Sequence, residues 1–260
     1  MKSNMYENKS YTEHFQKLGR KLKILDKKSR LIKTNKILAV IKDYSNKNKK
    51  ILNNFKCLDI GCSAGLITKF ISKNFNQTTG IDTDFNTIKL AKKLSNKNLN
   101  FIEASALNMP FKNNSFDLVI CNHIYEHVPD AQKMFNEIYR VLKKDGFCYL
   151  SAGNKYNIIE GHYKLPFLSW LPKPLAHVYL QATNRGKIYE ENHFSYFKIR
   201  RMLKNFKIDD YTLRTIKDPK KYYLRDIVKG KSFILRLPTF VFRIFYCLIP
   251  TYIFIISKNN

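Results

Sequence analysis

From residue 55 to residue 151, short apolar runs alternate with longer segments whose apolar residues recur at helical spacing. No other feature of the chain constrains its fold as tightly. The runs at 55–60, 77–81, 99–102, 116–121 and 146–151 have the length of strands. Between them, 66–75, 85–94 and 131–142 read as helices, the clearest stripe being Met134, Phe135, Ile138, Val141 and Leu142. Strands separated by helices of this length call for an α/β fold with a doubly wound, mostly parallel sheet and right-handed crossovers. The run at 116–121 is apolar almost throughout, as a strand buried on both faces must be. Downstream, 194–205 reads as a helix, 206–216 as a strand and 250–257 as a last strand.

The densest chemical signal lies where the first strand meets the first helix: Leu58-Asp59-Ile60-Gly61-Cys62-Ser63-Ala64-Gly65. Small residues there let a ligand approach the backbone, and a helix N-terminus offers free N–H groups. Asp82 ends the next strand, 21 residues after Gly61. A carboxylate at that place in a doubly wound sheet can accept both ribose hydroxyls of an adenosine cofactor. Standing at the open end of its strand, Asp82 is expected to serve cofactor affinity and to matter little for the stability of the ligand-free protein.

These residues resemble the motifs of class I S-adenosylmethionine-dependent methyltransferases. DIGCSAG is similar to that family's DxGxGxG loop and GIDTD to its acidic second motif; EASALNMPF, NSFDLV, CNHIYEHVPD and YRVLKKDG continue the pattern in order. The likeness covers roughly 55–152 and implies a seven-stranded Rossmann-like sheet with the last strand antiparallel, insertions after strands five and six, and S-adenosylmethionine as cofactor. It implies a cofactor-binding set of Asp59, Gly61, Cys62, Ser63, Gly65, Asp82, Ser105, Ala106 and Asn122. In that set the glycine loop holds the methionine part and Asp82 the ribose. Ser105 and Ala106 flank the adenine, and Asn122 begins the wall facing the methyl group. Two positions depart from the family: Ser63 replaces the middle glycine, and Ser105 stands where an acidic residue is common.

Other readings of the same residues are weaker. Gly61-Cys62-Ser63-Ala64-Gly65 also matches the GxSxG nucleophile elbow, but a hydrolase leaves Asp59 and Asp82 unexplained. His123, Glu126 and His127 have spacing suited to a metal, and some metal-dependent methyltransferases carry a similar cluster that begins with Glu. The expectation is that this stretch shapes the methyl-facing wall and needs no metal. His123 and His127 are then the candidate catalytic bases, while His162, Tyr163 and His193 in the variable region are further candidates to face the acceptor.

The flanks carry the charge. Net charge is +27, of which residues 1–50 hold +11, 51–150 only +3 and 151–260 +13. Residues 1–50 form a helical basic N-terminal arm ahead of a methyltransferase domain at 51–260. Within the latter, 153–192 is a lid insertion rich in aromatics and prolines, and 217–249 a basic, aromatic insertion. The acceptor reading is a small-molecule, glycan or lipid-linked hydroxyl, with peripheral contact at an anionic membrane. An RNA or other nucleic-acid methyltransferase is the alternative, disfavoured because no recognition module or RGG tract is present. A non-catalytic scaffold of the same fold is remote, because the glycine loop and Asp82 are both intact. Five cysteines without a CxxC pair and no apolar leader in the first fifty residues point to a reducing, cytoplasmic setting, at most peripheral at the inner face of the membrane.

Overall fold

The computed structural model describes residues 26–224 and 238–259. Its centre is a seven-stranded sheet of β1 (Lys56–Ile60), β2 (Gln77–Asp82), β3 (Leu99–Glu103), β4 (Phe116–Asn122), β5 (Leu142–Gly153), β6 (Phe206–Asp210) and β7 (Thr251–Lys258). The spatial order is β3-β2-β1-β4-β5-β7-β6. Only β7 runs against its neighbours, pairing antiparallel with both β5 and β6. The α/β, mostly parallel expectation therefore holds, including the antiparallel last strand.

Each strand feeds two apolar layers because side chains alternate across a pleat. Along β5, Cys148, Leu150 and Ala152 join one layer while Phe147 and Tyr149 join the other. The first layer is closed by α4 (Ala131–Val141), whose Met134, Phe135, Ile138 and Val141 are fully buried. Burial of each such side chain contributes roughly 1.5–3 kcal/mol. Asp130 starts this helix by accepting the Lys133 N–H at 2.9 Å. The other layer is closed by α1 (Lys27–Lys47) and α2 (Leu66–Ser72), with α3 (Phe85–Lys92) packed beyond them against β2 and β3.

The basic arm expected at 1–50 is, in its described part, no appendage. Ile37, Leu38, Val40 and Ile41 of α1 are buried against Cys57, Leu118, Ile120 and Phe147, so a boundary at residue 50 cuts through one core. Residues 1–25 lie outside the described residues, as does 225–237 of the second insertion. The strand expected over 206–216 ends at Asp210. There the Asp210 carboxylate accepts the Thr212 N–H at 2.8 Å, and α7 (Thr212–Lys217) begins. The lid insertion is likewise more ordered than its sequence suggests. It contains α5 (Lys173–Ala182) and a small core of Tyr163, Leu165, Leu168, Ala176, Leu180 and Tyr189. Two short helices, α6 (Tyr196–Met202) and α8 (Thr239–Ile244), complete the chain. Among the described residues, no helix is long and apolar enough to cross a membrane.

One buried carboxylate ties α1 to the far end of the fold. Asp43 accepts hydrogen bonds from Lys47 at 2.7 Å and Tyr211 at 2.9 Å, and from Lys221. Burial would raise its pKa, but these three donors hold it well below the usual carboxylate range. A depressed pKa stabilises the fold above the unfolded-state value and loses that contribution as pH falls through the folded one. Asp43→Asn should therefore cost about 2 kcal/mol at pH 7. In thermal melts, the advantage of the wild type over the variant should shrink below about pH 4.

Candidate active site

The strand order reverses beside β1, since the chain runs outward to β2 and β3 and then returns to place β4 on the other side. A crevice opens at the carboxyl ends of strands at such a reversal. Two loops meet there: 61–65 after β1 and 123–128 after β4.

The first loop is shaped by left-handed backbone. Gly61, Ser63 and Gly65 have φ of 70°, 50° and 78°. A Cβ at Gly61 would stand 2.1 Å from Ile124 Cδ1, and one at Gly65 would stand 2.7 Å from the Phe101 ring. The serine at position 63 thus holds a conformation glycine would adopt without cost. What keeps it there is Asp82. The Asp82 carboxylate accepts the Ser63 N–H at 2.8 Å through Oδ2 and the Asp84 N–H at 3.0 Å through Oδ1. Gly61 and Cys62 donate to the Ile81 carbonyl at 2.8 and 3.0 Å. In the ligand-free protein Asp82 thus also braces the loop, a role that its place at the end of the strand did not suggest.

Asp59 is buried beneath the loop and accepts the Thr68 hydroxyl at 2.7 Å. Burial pushes its carboxyl up to about 7, the Thr68 bond opposing and nearby Asp82 adding. Cys62 is buried, and burial raises its thiol out of the reactive range. Ser105 uses its Oγ to accept the Leu107 N–H at 3.1 Å, closing a turn in which Ala106 is buried. A pair that sequence reasoning missed pins this segment. Glu137 accepts the Met109 N–H at 2.7 Å, and Arg140 donates to the Met109 and Phe111 carbonyls at 2.9 and 2.6 Å. Asn122, half-buried, ends β4 at the mouth of the crevice.

The second loop is held just as tightly. His123 has φ of 57°, and its ring is engaged at both nitrogens: Nδ1 lies 2.9 Å from Glu126 Oε1 and Nε2 3.0 Å from Ser151 Oγ. Strained backbone of this kind persists where several partners over-determine it. Tyr125, fully buried, donates its hydroxyl to the Gly153 carbonyl and accepts the Phe194 N–H at 3.1 Å. Burial would raise Glu126, but His123 and the neighbouring imidazoles hold it at about 2. Burial lowers His127 to about 4, against the pull of Glu126.

The lid contributes the rest. The Asn192 N–H donates to the Glu126 carbonyl at 2.8 Å, which fastens the end of the lid to this loop. His162 lies edge-on to His127 with ring centroids 5.1 Å apart, and 6.1 Å from His193. Glu160 accepts from His162 Nδ1 at 2.8 Å and from the His162 and Tyr163 N–H groups at 2.7 Å each. His193 Nδ1 is 3.0 Å from the Tyr189 hydroxyl. Tyr163 packs into the small core of the lid. Glu160 and Glu191, absent from the sequence-derived candidates, complete the cluster.

Residues 58–150 match the model of a family described as a methyltransferase domain. Over these residues the chain is similar to a methyltransferase domain, and S-adenosylmethionine is the cofactor that this implies. The chain is 28% identical over 212 residues to a ubiquinone biosynthesis O-methyltransferase of Pelagibacter ubique, which spans 77% of this chain and 85% of that one. An uncharacterized protein of Methanocaldococcus jannaschii is 36% identical over 124 residues, covering 48% of this chain and 50% of that protein. The crystal structure of MccD protein shares the fold, with a TM-score of 0.52 at 18% identity over 84% of this chain and 95% of that one.

The methyltransferase's own residues fit its cofactor. Side chains are missing at Gly61 and Gly65, where a Cβ would collide. A carboxylate has about four acceptor positions, so Asp82, with its two backbone donors, keeps room for ribose hydroxyls.

Three outcomes check this site. Gly61→Ala should reduce S-adenosylmethionine binding at least tenfold in calorimetry, because the added methyl displaces Ile124. Asp82→Ala should weaken binding by about 10–100-fold or more, since each charge-assisted bond is worth about 1.5–3 kcal/mol. It should also lower the ligand-free melting temperature, which a purely ligand-facing carboxylate would not do. The Asp59 pKa is raised on folding, so its contribution to stability is full below the unfolded carboxylate value and fades as pH rises through about 7. Melts of ligand-free wild type and Asp59→Asn from pH 5 to 9 should diverge, with the variant gaining relative stability toward high pH.

Proposed function

We propose that this methyltransferase transfers a methyl group to a hydroxyl of a small-molecule, glycan or lipid-linked acceptor. The observation that carries the reading is the convergence of His127, His162 and His193 on one side of the β4 loop, beneath a lid with its own core. The name of the Pelagibacter relative, an O-methyltransferase of ubiquinone biosynthesis, supports the same chemistry.

S-adenosylmethionine, when bound, supplies a methyl group already activated on a sulfonium. What remains is to align an acceptor oxygen and to take up one proton. His127 is the better of the two bases expected from sequence, because burial keeps it neutral. His123, with both ring nitrogens engaged, serves to shape the wall. Asp82, Ser63 and the 105–108 turn hold the nucleoside side in this reading, and Asn122 the methyl side.

The outer surface of the lid favours a lipid-linked acceptor over a free one. Ile158, Ile159, Phe167, Leu175 and Val178 are about half exposed or more there, with Lys155 and Lys164 among them. An apolar face with interspersed lysines suits contact with an anionic bilayer from the cytoplasmic side. The purified protein, supplied with cofactor labelled in the methyl group and with a lysate, should place label in an organic-extractable product stable to mild alkali, as an ether is. Label recovered in nucleic acid would refute the reading.

A further inference from the structure

We infer that the protein carries a divalent-cation site made of His127, His162 and Glu191, two of whose three ligands come from the lid. Nitrogen and carboxylate donor atoms of these three side chains lie within 4.8 Å of one another. Atoms bound to a tetrahedral ion at about 2.0–2.2 Å stand about 3.3–3.6 Å apart, so binding draws the three inward by up to about 1.5 Å. Two imidazoles and one carboxylate suit a transition ion such as zinc, cobalt or manganese.

Several independent features point to an ion at this place. Glu191 is buried, and its Oε2 has no hydrogen-bond partner. Glu126, fully buried beside His127 in the chain, also leaves Oε2 unpartnered. Carboxylate oxygens withdrawn from water without a donor are costly, and an ion is one of the few things that satisfies them. The nearest lysine does not. Lys173 Nζ donates to the backbone carbonyls of Tyr189 and Glu191, at 3.0 and 2.7 Å. In a chain of net charge +27, the acids at 126, 160 and 191 are gathered around His162.

The supporting bonds are those that metal sites employ. Glu160 fixes His162 through Nδ1 at 2.8 Å and is itself fixed by two backbone N–H groups at 2.7 Å. A carboxylate behind a histidine sets its tautomer and fixes the ring, and here the same Nδ1 also lies 4.0 Å from Glu191 Oε1. A second set of three, Glu160, His162 and His193, also comes within 4.8 Å. Its donors are largely committed, since both Glu160 oxygens accept hydrogen bonds and His193 Nδ1 meets the Tyr189 hydroxyl at 3.0 Å. The ligand-like spacing His123-x-x-Glu126-His127, which the sequence reading assigned to the wall and not to a metal, is not what assembles here, because the His123 ring is spent on Glu126 and Ser151. Sequence reading reached His162 only as a residue to face the acceptor and did not reach Glu191; the two lie 35 and 64 positions beyond His127. Three protein ligands leave at least one position open for an oxygen. That this oxygen is the acceptor's rests on the O-methyl-transfer reading, and with His127 on the ion the acidified hydroxyl gives its proton to water rather than to His127; ion binding itself does not rest on that reading.

The test uses the full chain, stripped with chelator and titrated with Co2+, whose visible absorption reports nitrogen and oxygen coordination. One Co2+ per chain is expected, with a rise in melting temperature on binding. His162→Gln and Glu191→Gln should each weaken binding by at least about tenfold, and Glu160→Gln should do so through orientation of His162. Circular dichroism should show all three variants folded. A wild type without a saturable Co2+ spectrum overturns the proposal. So does binding that survives in both His162→Gln and Glu191→Gln yet disappears in His123→Gln, which would place the ion on the 123–127 stretch. Either failure leaves methyl transfer to be judged by its own labelling experiment.

Discussion

The reversal of strand order between β1 and β4 is the constraint on which everything else here depends. With β2 and β3 laid to one side of β1 and β4 to the other, two loops are left at the same edge with no crossover between them. Both are forced into unusual backbone. Gly61, Ser63 and Gly65 turn left-handed on one side and His123 on the other. Their closeness is measured by Ile124, whose Cδ1 occupies the space that a side chain at Gly61 would need. The crevice is thus a property of topology, and its chemistry is a property of the loops grafted on it.

Buried polar groups hold the loops in place, and most act at a distance in the chain. Asp82 braces Ser63 and Tyr125 joins Gly153 to Phe194, while Asn154 donates to the Cys247 and Ile249 carbonyls at 2.7 and 2.9 Å. Each of these groups costs desolvation when buried and returns it only if every partner is present. Such bonds make the position of a loop definite rather than merely allowed. The lid inherits this rigidity, being pinned by Asn192 to Glu126 and by Lys173 to its own backbone. Glu126, Glu160 and Glu191 gather around His162, where the lid meets the loop after β4.

Departures from the sequence reading share one cause. The strand at 206–216 reads as continuous because Tyr211 and Ile216 are apolar, yet it ends at Asp210, whose carboxylate takes the Thr212 N–H as the chain turns into a helix. The N-terminal segment reads as a polar arm because lysines crowd it, while one face of α1 is buried against the sheet. In both, composition describes the average of a segment and the fold responds to one face or one cap. Glu137 and Arg140 escaped notice for a similar reason, as their partners are backbone groups of Met109 and Phe111, which carry no sequence signal.

By itself, the sequence determined the order of strands and helices, the parallel sheet, the glycine loop and Asp82, because periodicity and spacing are local and survive in one dimension. It marked His123 and His127 as a pair of equals. Only the tertiary structure separated them, by giving both nitrogens of His123 to Glu126 and Ser151 and by bringing His162, His193, Glu160 and Glu191 to the neighbourhood of His127. Those residues are distant in the chain, and no pattern of neighbours encodes the turn that brings a lid back over the edge of its sheet. Proximity between remote side chains is decided by packing, and packing is what a linear reading lacks.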